Sequence, residues 1–464
     1  MVTLLPAIVI DNGSHTTRAG LALEDLPLLV FNSNYVVGPS GETLFGDEAI
    51  TQNPGAEVMT IMDDGALYDT DRARDCWGHV FQHLDGSNGV SPLDHALMAT
   101  EPVWNSAKAR AAMAQAAFEE FQVPLFSLVK SPLAQLYHMG RLSGLVIDVG
   151  GAVASVTPVL DGIIQLKLSF HLKYAGDFLN LHCLRSLETK LGATHDTLDY
   201  ARLIPARFQK GVMLDSFKRY HVTQHFLAGF KHAMVSTTES PPGLPPLNAY
   251  YPQAPHQHPA QYQLPGGGHV TYLDQELTAL TEPLFVPHAY QLPGLTLPEP
   301  AFNKAGSHGI SNLVLFAIKN LESAFLSLAG NDGQGSNASA RFNEILRQLF
   351  QNTLITGGGS LIHGFSDRIC GDLSRTAPQL LPGYMITGSY KLYISPLRNH
   401  STGSIHDVFD KKFGAWLGAA NLASMLRENS EDDNGSVAIA LDNWFVSKAD
   451  YEEMGEDMIV EKFK

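Results

Sequence analysis

The sequence predicts an α/β fold built around two related hairpins, and two observations carry that prediction. The first is a repeated phrase. Residues 7–20 read Ala-Ile-Val-Ile-Asp-Asn-Gly-Ser-His-Thr-Thr-Arg-Ala-Gly, and residues 145–162 read Leu-Val-Ile-Asp-Val-Gly-Gly-Ala-Val-Ala-Ser-Val-Thr-Pro-Val-Leu-Asp-Gly. Each is a β-branched apolar run, an Asp-x-Gly turn and a second run of strand-like composition, which together signal a hairpin. The second observation is the helical stretch between them. The two aspartates, Asp11 and Asp148, stand 148 − 11 = 137 positions apart, about one domain length. At about 150 residues per domain, 464 residues leave two large lobes or several smaller domains open.

In chain order, the apolar run ending at Ile10 reads as a first strand rather than a signal peptide. It has no basic leader, contains Pro6 and passes straight into Asp11. A helix is expected from Asn105 to Phe121, capped by Asn105 or Ser106, rich in alanine and stopped by Pro124. Its Met113, Ala117, Phe118 and Phe121 recur at helical spacing and read as core. A shorter helix, Ser131 to Met139, opens with Pro132 in its first turn and leads to the strand carrying Asp148. Three stretches read as surface insertions. Residues 236–268 are proline-rich, polar and too broken to pack. Residues 330–339 form a Gly/Ser loop, and residues 428–435 an acidic one. His256 and His258 lie in the first of these without accompanying ligands, so no metal site is expected there.

Composition narrows the function. With 31 Lys+Arg against 47 Asp+Glu the formal charge is −16, which disfavours a broad nucleic-acid surface. No window approaches the ~20 apolar residues of a membrane span. Cys76, Cys183 and Cys370 lie far apart, which suggests neither a disulfide framework nor a zinc site and fits a reducing compartment.

Six segments in the right order resemble the actin and actin-related protein family over nearly the whole chain. The two repeated phrases resemble its two phosphate loops. Thr100-Glu-Pro-Val-Trp-Asn-Ser-Ala-Lys-Ala-Arg with Phe118-Glu-Glu-Phe resembles the helix between them. Tyr262-Gln-Leu-Pro-Gly-Gly resembles a strand-turn, and Thr356-Gly-Gly-Gly-Ser-Leu-Ile-His-Gly-Phe-Ser-Asp-Arg the adenosine loop. Trp416-Leu-Gly and Trp444-Phe-Val-Ser-Lys-Ala-Asp-Tyr resemble the C-terminal signature. Asp11-Asn-Gly-Ser-His, Val156-Thr-Pro-Val-Leu-Asp-Gly-Ile-Ile and Tyr174-Ala-Gly-Asp-Phe-Leu are similar to the class-seven actin-related subunits of fungal SWI/SNF and RSC chromatin remodellers. The resemblance implies an actin-like two-lobed α/β fold, duplicated ribonuclease-H-like domains with a nucleotide cleft between lobes. Residues 1–143 would form the first lobe, 144–410 the second, and 411–464 the return to the first.

What the resemblance implies for chemistry differs position by position. Asp11, Gly13, Ser14, Arg18, Asp148, Gly150, Gly357 and Gly358 would form a degenerate nucleotide site, with Arg18 where the family carries a phosphate-facing lysine. The water-orienting glutamine is replaced by Ser131, the second acid of the second loop by Gly151, and the histidine further along by Ser155. Phosphoryl transfer needs a positioned water and a held metal. No ATPase activity, no catalytic residue and no bound metal are therefore expected, and His15 adds bulk where the backbone should approach phosphate, so ATP is not expected as a tightly held cofactor. On the residues alone, each aspartate can equally brace its own turn, and the three glycines at 357–359 can simply mark a turn.

The implied role is to bind. Tyr137, Leu422 and Met425 would line an apolar groove for a partner helix, although on spacing alone Leu422 and Met425 read as core. The expected partners are the helicase-SANT-associated helix of a Snf-type remodeller ATPase and a second actin-related protein, with chromatin reached indirectly and no direct nucleic-acid or membrane site. The negative charge would steer a basic helix. A nuclear location follows from the likeness alone. The segment from Phe31 to Gly46 is shorter than in conventional actin, which disfavours filaments. Two other readings stay open: an actin-fold protein with weak ATPase activity, and a cytoplasmic filament-capping actin-related protein.

Overall fold

The structure is a computed structural model. It describes all residues except 1–4, 87, 193–198, 210–211, 245–258, 300, 302–303, 331–334, 385–403 and 428–433. The chain divides into two compact units, one of Met1–Arg141 with Lys412–Lys464 and one of Leu142–Lys411.

The first unit is organised by a six-stranded sheet. Strand β1, Leu5–Asn12, pairs antiparallel with β2, Thr16–Leu21, which pairs with β3, Leu29–Asn32, at one edge. On its other side β1 lies parallel to His95–Glu101, then comes Leu125–Lys130, and Val446–Ser447 closes the sheet. The β-branched run Ile8-Val9-Ile10 is buried on both faces because helices cover both. Ile8 and Ile10 face a core with Trp77, Phe118 and Phe126, while Val9 faces Trp416, whose indole N–H donates to the Val9 carbonyl at 3.0 Å. Gly20 has no side chain because Trp416 lies over it: a Cβ there would sit 2.6 Å from the indole ring.

The second unit repeats the plan. Gly144–Val149 pairs antiparallel with Ala154–Leu160 and parallel with Thr353–Thr356, and Phe170–Leu172 pairs with Ala154–Leu160. The helices Gly176–Lys190, Ile310–Gly330 and Phe365–Leu380 contribute to its core. At its centre Arg368, fully buried, is paired through two nitrogens with Glu282 and through Nε with Asp372, so its charge is compensated on both sides.

Three expectations are corrected in detail. The helix after Asn105 runs as an α-helix only from Ala107 to Gln115, capped by Ser106, whose hydroxyl accepts from the Ala109 N–H at 3.0 Å. A π-helical turn, Ala116–Glu120, follows, and it keeps Ala117 and Phe118 buried. The region 330–339 is not all loop: a helix begins at Gly335 and runs to Gln351, with the strong formers Ala338 and Ala340 in its first turns. The region 236–268 packs at both ends. Ser236 bridges to His363, and Ala260–Gln263 pairs with His269–Tyr272, burying Leu264. His256 and His258 lie outside the described residues, as does most of the acidic stretch 428–435.

Candidate functional site

Each half of the expected nucleotide site lies within one unit. In the first, the turn Gly13-Ser14-His15 joins β1 to β2, and the hairpin register places Asp11 opposite Arg18. Arg18 Nη1 donates to Asp11 Oδ2 at 2.8 Å and to the Thr16 carbonyl at 3.3 Å. Thr100 Oγ1, on the parallel neighbour strand, donates to Asp11 Oδ1 at 2.5 Å. Both carboxylate oxygens of this buried aspartate are therefore engaged by the chain itself. The guanidinium also covers the turn: a Cβ at Gly13 would lie 3.1 Å from Nη1. Its other side meets the Phe413 ring, 5.9 Å from the centroid.

The turn is stitched down as well. The Gly13 N–H donates to the Thr16 carbonyl at 3.1 Å, Ser33 Oγ donates to the Gly13 carbonyl at 2.7 Å, and the Ser33 N–H donates to the His15 carbonyl at 3.0 Å. Trp77 Nε1 holds Asn12 Oδ1 at 3.0 Å. Ser14 sits half-buried between Gly13 and His15. Below Thr100 lies a buried ion cluster that sequence reasoning missed. Glu101 accepts from Arg110 Nε at 2.8 Å and from Lys130 Nζ at 3.0 Å, and Lys130 also donates to the Phe463 carbonyl at 2.7 Å. Burial pulls the Lys130 ammonium below its usual pKa, against the opposing pull of Glu101. Ser131 starts the following helix and donates to the Glu101 carbonyl at 3.2 Å, so its short hydroxyl is spent on the backbone.

In the second unit the Gly150 N–H closes its own turn on the Val153 carbonyl at 2.9 Å. The carbonyls of Gly150 and Gly151 accept the first N–H groups of the Gly176–Lys190 helix, from Gly176 at 3.1 Å and Asp177 at 2.7 Å. The helix N-terminus, the natural place for an anion, therefore binds the loop backbone. Lys231 Nζ donates to the Gly176 carbonyl at 3.3 Å from beneath, and its burial lowers its pKa. Asp148 lies against Gly357, where a Cβ would come 2.3 Å from its Oδ1 and 2.5 Å from the Val149 carbonyl. Gly357 holds φ +87°, and its N–H donates to the Lys411 carbonyl at 3.1 Å. Gly358 faces open space. Ser155 pairs across the strands with His171.

Of the eight expected nucleotide residues, Asp11, Gly13, Ser14 and Arg18 are gathered in the first unit, and Asp148, Gly150, Gly357 and Gly358 in the second. Among the described residues, no group of three or more His, Cys, Asp or Glu is arranged to hold a metal.

The three expected groove residues also meet, in one cluster of the first unit. Leu422 is buried there at 8% exposure, while Tyr137 and Met425 lie at its margin, partly buried. Burial raises the Tyr137 pKa. Trp444, which closes the helix Asn434–Trp444, packs edge-on against Tyr137 with ring centroids 5.8 Å apart. The sequence marked Trp444 as part of a C-terminal phrase but gave no sign of this contact.

Two α/β units, each with an Asp-x-Gly hairpin beside a parallel strand, define a duplicated actin-type fold, and the chain belongs to the actin family: the family model Actin matches residues 3–329 and 336–464. The chain is 28% identical to actin-related protein 4 of Yarrowia lipolytica, over 98% of this chain and 95% of that one. It is 28% identical to actin-related protein 7 of Saccharomyces cerevisiae, over 97% and 96%. It is 27% identical to the SWI/SNF and RSC complexes subunit arp42 of Schizosaccharomyces pombe, over 99% of each.

Proposed function

We propose that this chain is a non-catalytic actin-related subunit of a SWI/SNF- or RSC-type chromatin-remodelling complex, acting in the nucleus in support of transcription regulation. The observation that carries the reading is the state of Asp11. Its two oxygens already accept from Arg18 and Thr100, so a metal at the first hairpin would have to share or displace those donors. Arg18 is equally committed and meets carboxylate where a phosphate would lie. Without a positioned water or a held metal, phosphoryl transfer loses its main source of acceleration. The likeness to arp42, named as a subunit of those complexes, supports the assembly context.

The binding partner is the helicase-SANT-associated helix of the remodeller ATPase, taken together with a second actin-related protein. Tyr137, Met425 and Trp444 offer aromatic and thioether surface at a helix-lined margin, and Leu422 supports them from the core. Purification of the tagged chain tests the assembly. Stoichiometric recovery of a Snf-type ATPase and a second actin-like chain supports it, and recovery of neither overturns it. Activity is tested separately: phosphate release by the purified chain that disappears on Asp11→Ala would restore the ATPase reading.

A further inference from the structure

Charge on the first unit is distributed unevenly. Residues 19–71 contain ten Asp or Glu and no Lys, Arg or His. The same stretch exposes aliphatic side chains in a short run: Leu23 at 51%, Leu26 at 38%, Leu28 at 52% and Val30 at 47%. Leu28 and Val30 lie two residues apart where β3 begins and so share one face, while Phe31 turns the other way, packing on Phe45 and His79. Among the described residues β3 pairs with β2 alone and ends the sheet. Glu24 and Asp25 sit exposed in the turn before it. Asp47 and Glu48, also exposed, open the Gly46–Gln52 helix, which contacts β3.

An edge strand presents backbone donors and acceptors to any chain that can lie alongside it. Here that edge carries aliphatic side chains and a rim of carboxylates with no cation in the same 53 residues (71 − 18). We propose that β3 is a docking edge for an extended, Lys/Arg-bearing segment of a partner protein, added as a seventh strand to the six already present. The partner's alternate aliphatic side chains cover Leu28 and Val30, and its cations meet Glu24, Asp25, Asp47 and Glu48. A second copy of this chain is disfavoured at the edge, because the exposed carboxylates Glu24, Asp25, Asp47 and Glu48 of two copies would repel. The surface is separate from the Tyr137 cluster, so its test does not depend on the proposed function.

The probe is a labelled seven-residue peptide alternating Lys and Val, titrated into the full chain by fluorescence anisotropy. Its controls are an oligolysine of equal charge and an amphipathic Lys/Leu helix. The expected result is binding of the Lys/Val peptide in preference to both controls, with slowed amide exchange at residues 28–32. The double substitution Leu28→Lys, Val30→Lys changes only exposed side chains and should weaken binding about tenfold, or about 1.4 kcal/mol. Glu24→Gln with Asp25→Asn should weaken it and flatten its salt dependence. Equal binding of oligolysine, preference for the helical peptide, unchanged exchange at β3, or indifference to the double substitution would each overturn the proposal.

Discussion

In the first hairpin the turn acid is held by side chains: Arg18 from the opposite strand and Thr100 from the neighbouring one. In the second hairpin the turn is held by backbone, with the carbonyls of Gly150 and Gly151 on a helix N-terminus and Asp148 pressed against a glycine at φ +87°. Each turn closes on a backbone bond of its own, Gly13 to Thr16 and Gly150 to Val153, and beyond that bond the two phrases are anchored differently. Side-chain anchoring depends on specific residue types, so single substitutions can undo it. Backbone anchoring depends on space, so it fails when an atom is added rather than removed.

The largest effect is expected where an atom is added. Gly357→Ala puts a methyl 2.3 Å from Asp148 Oδ1 and 2.5 Å from the Val149 carbonyl, on a backbone at φ +87°. At φ +87° and ψ 158° the backbone adopts an extended positive-φ conformation essentially reserved for glycine, which costs roughly 1–3 kcal/mol for another residue, and overpacking adds about 1–3. Urea unfolding followed in the second unit should therefore show a loss of about 3 kcal/mol or more. Gly358→Ala, one position along, meets no atom within 4 Å and should change stability by under about 0.5 kcal/mol. Equal effects at the two positions would break the space argument.

A comparable effect is expected from acid, and it reaches both units. Burial, helped by the neighbouring His83, pushes the His79 imidazole from its usual 6.5 to about 4 in the first unit. Burial alone does the same to His182, which packs edge-on against Phe178 in the second. Between pH 6.5 and about 4 the unfolded chain binds protons that the folded chain refuses, so stability is full above 6.5 and falls as the pH drops. Both rings are only half-buried, so solvent screening cuts into the ~1.4 kcal/mol per pH unit and about 1–2 kcal/mol is expected from each. Urea midpoints measured from pH 7 to pH 4 should fall, and His182→Leu should flatten the slope of the second unit only. Urea midpoints that stay level from pH 6.5 down to pH 4 would contradict the assignment.

Much of this contrast was legible in the sequence, for a definite reason. A hairpin turning at Ser14-His15, closed by Gly13 and Thr16, sets its own register, so positions whose numbers sum to 29 face each other, and Asp11 meets Arg18. The turn alone pairs Arg18 with Asp11, whereas the family resemblance assigns Arg18 to phosphate. Thr100 was not available in the same way. It reaches Asp11 across a parallel pair whose register no turn fixes, between strands some 90 residues apart (100 − 11 = 89). The Glu101–Arg110–Lys130 cluster was hidden for a similar reason, since Lys130 arrives from a third strand. The stretch 330–339 is legible only in part for another reason: Gly, Asn and Ser dominate its composition, while Ala338, Ala340 and the formers after them set the start of the Gly335–Gln351 helix.

The smallest effect tests the side-chain half of the comparison. Arg18→Met keeps most of the aliphatic stem but removes the charge that faces Asp11 Oδ2, leaving a carboxylate with 9% side-chain exposure and one remaining donor, Thr100. Removing one partner of a fully buried pair costs about 3–5 kcal/mol. Arg18 keeps 20% of its side chain in solvent, so water relieves part of the loss and about 2 kcal/mol is expected. Asp11→Asn should cost a similar amount, because its one oxygen still accepts from Thr100 but its amide N–H2 then faces the Arg18 donor. A double-mutant cycle separates the two contributions: if Arg18 acts through Asp11, the pair should couple by about 1–2 kcal/mol. Additive losses would mean that Arg18 is held by Thr16 and the Phe413 ring instead, with Thr100 the donor that anchors Asp11.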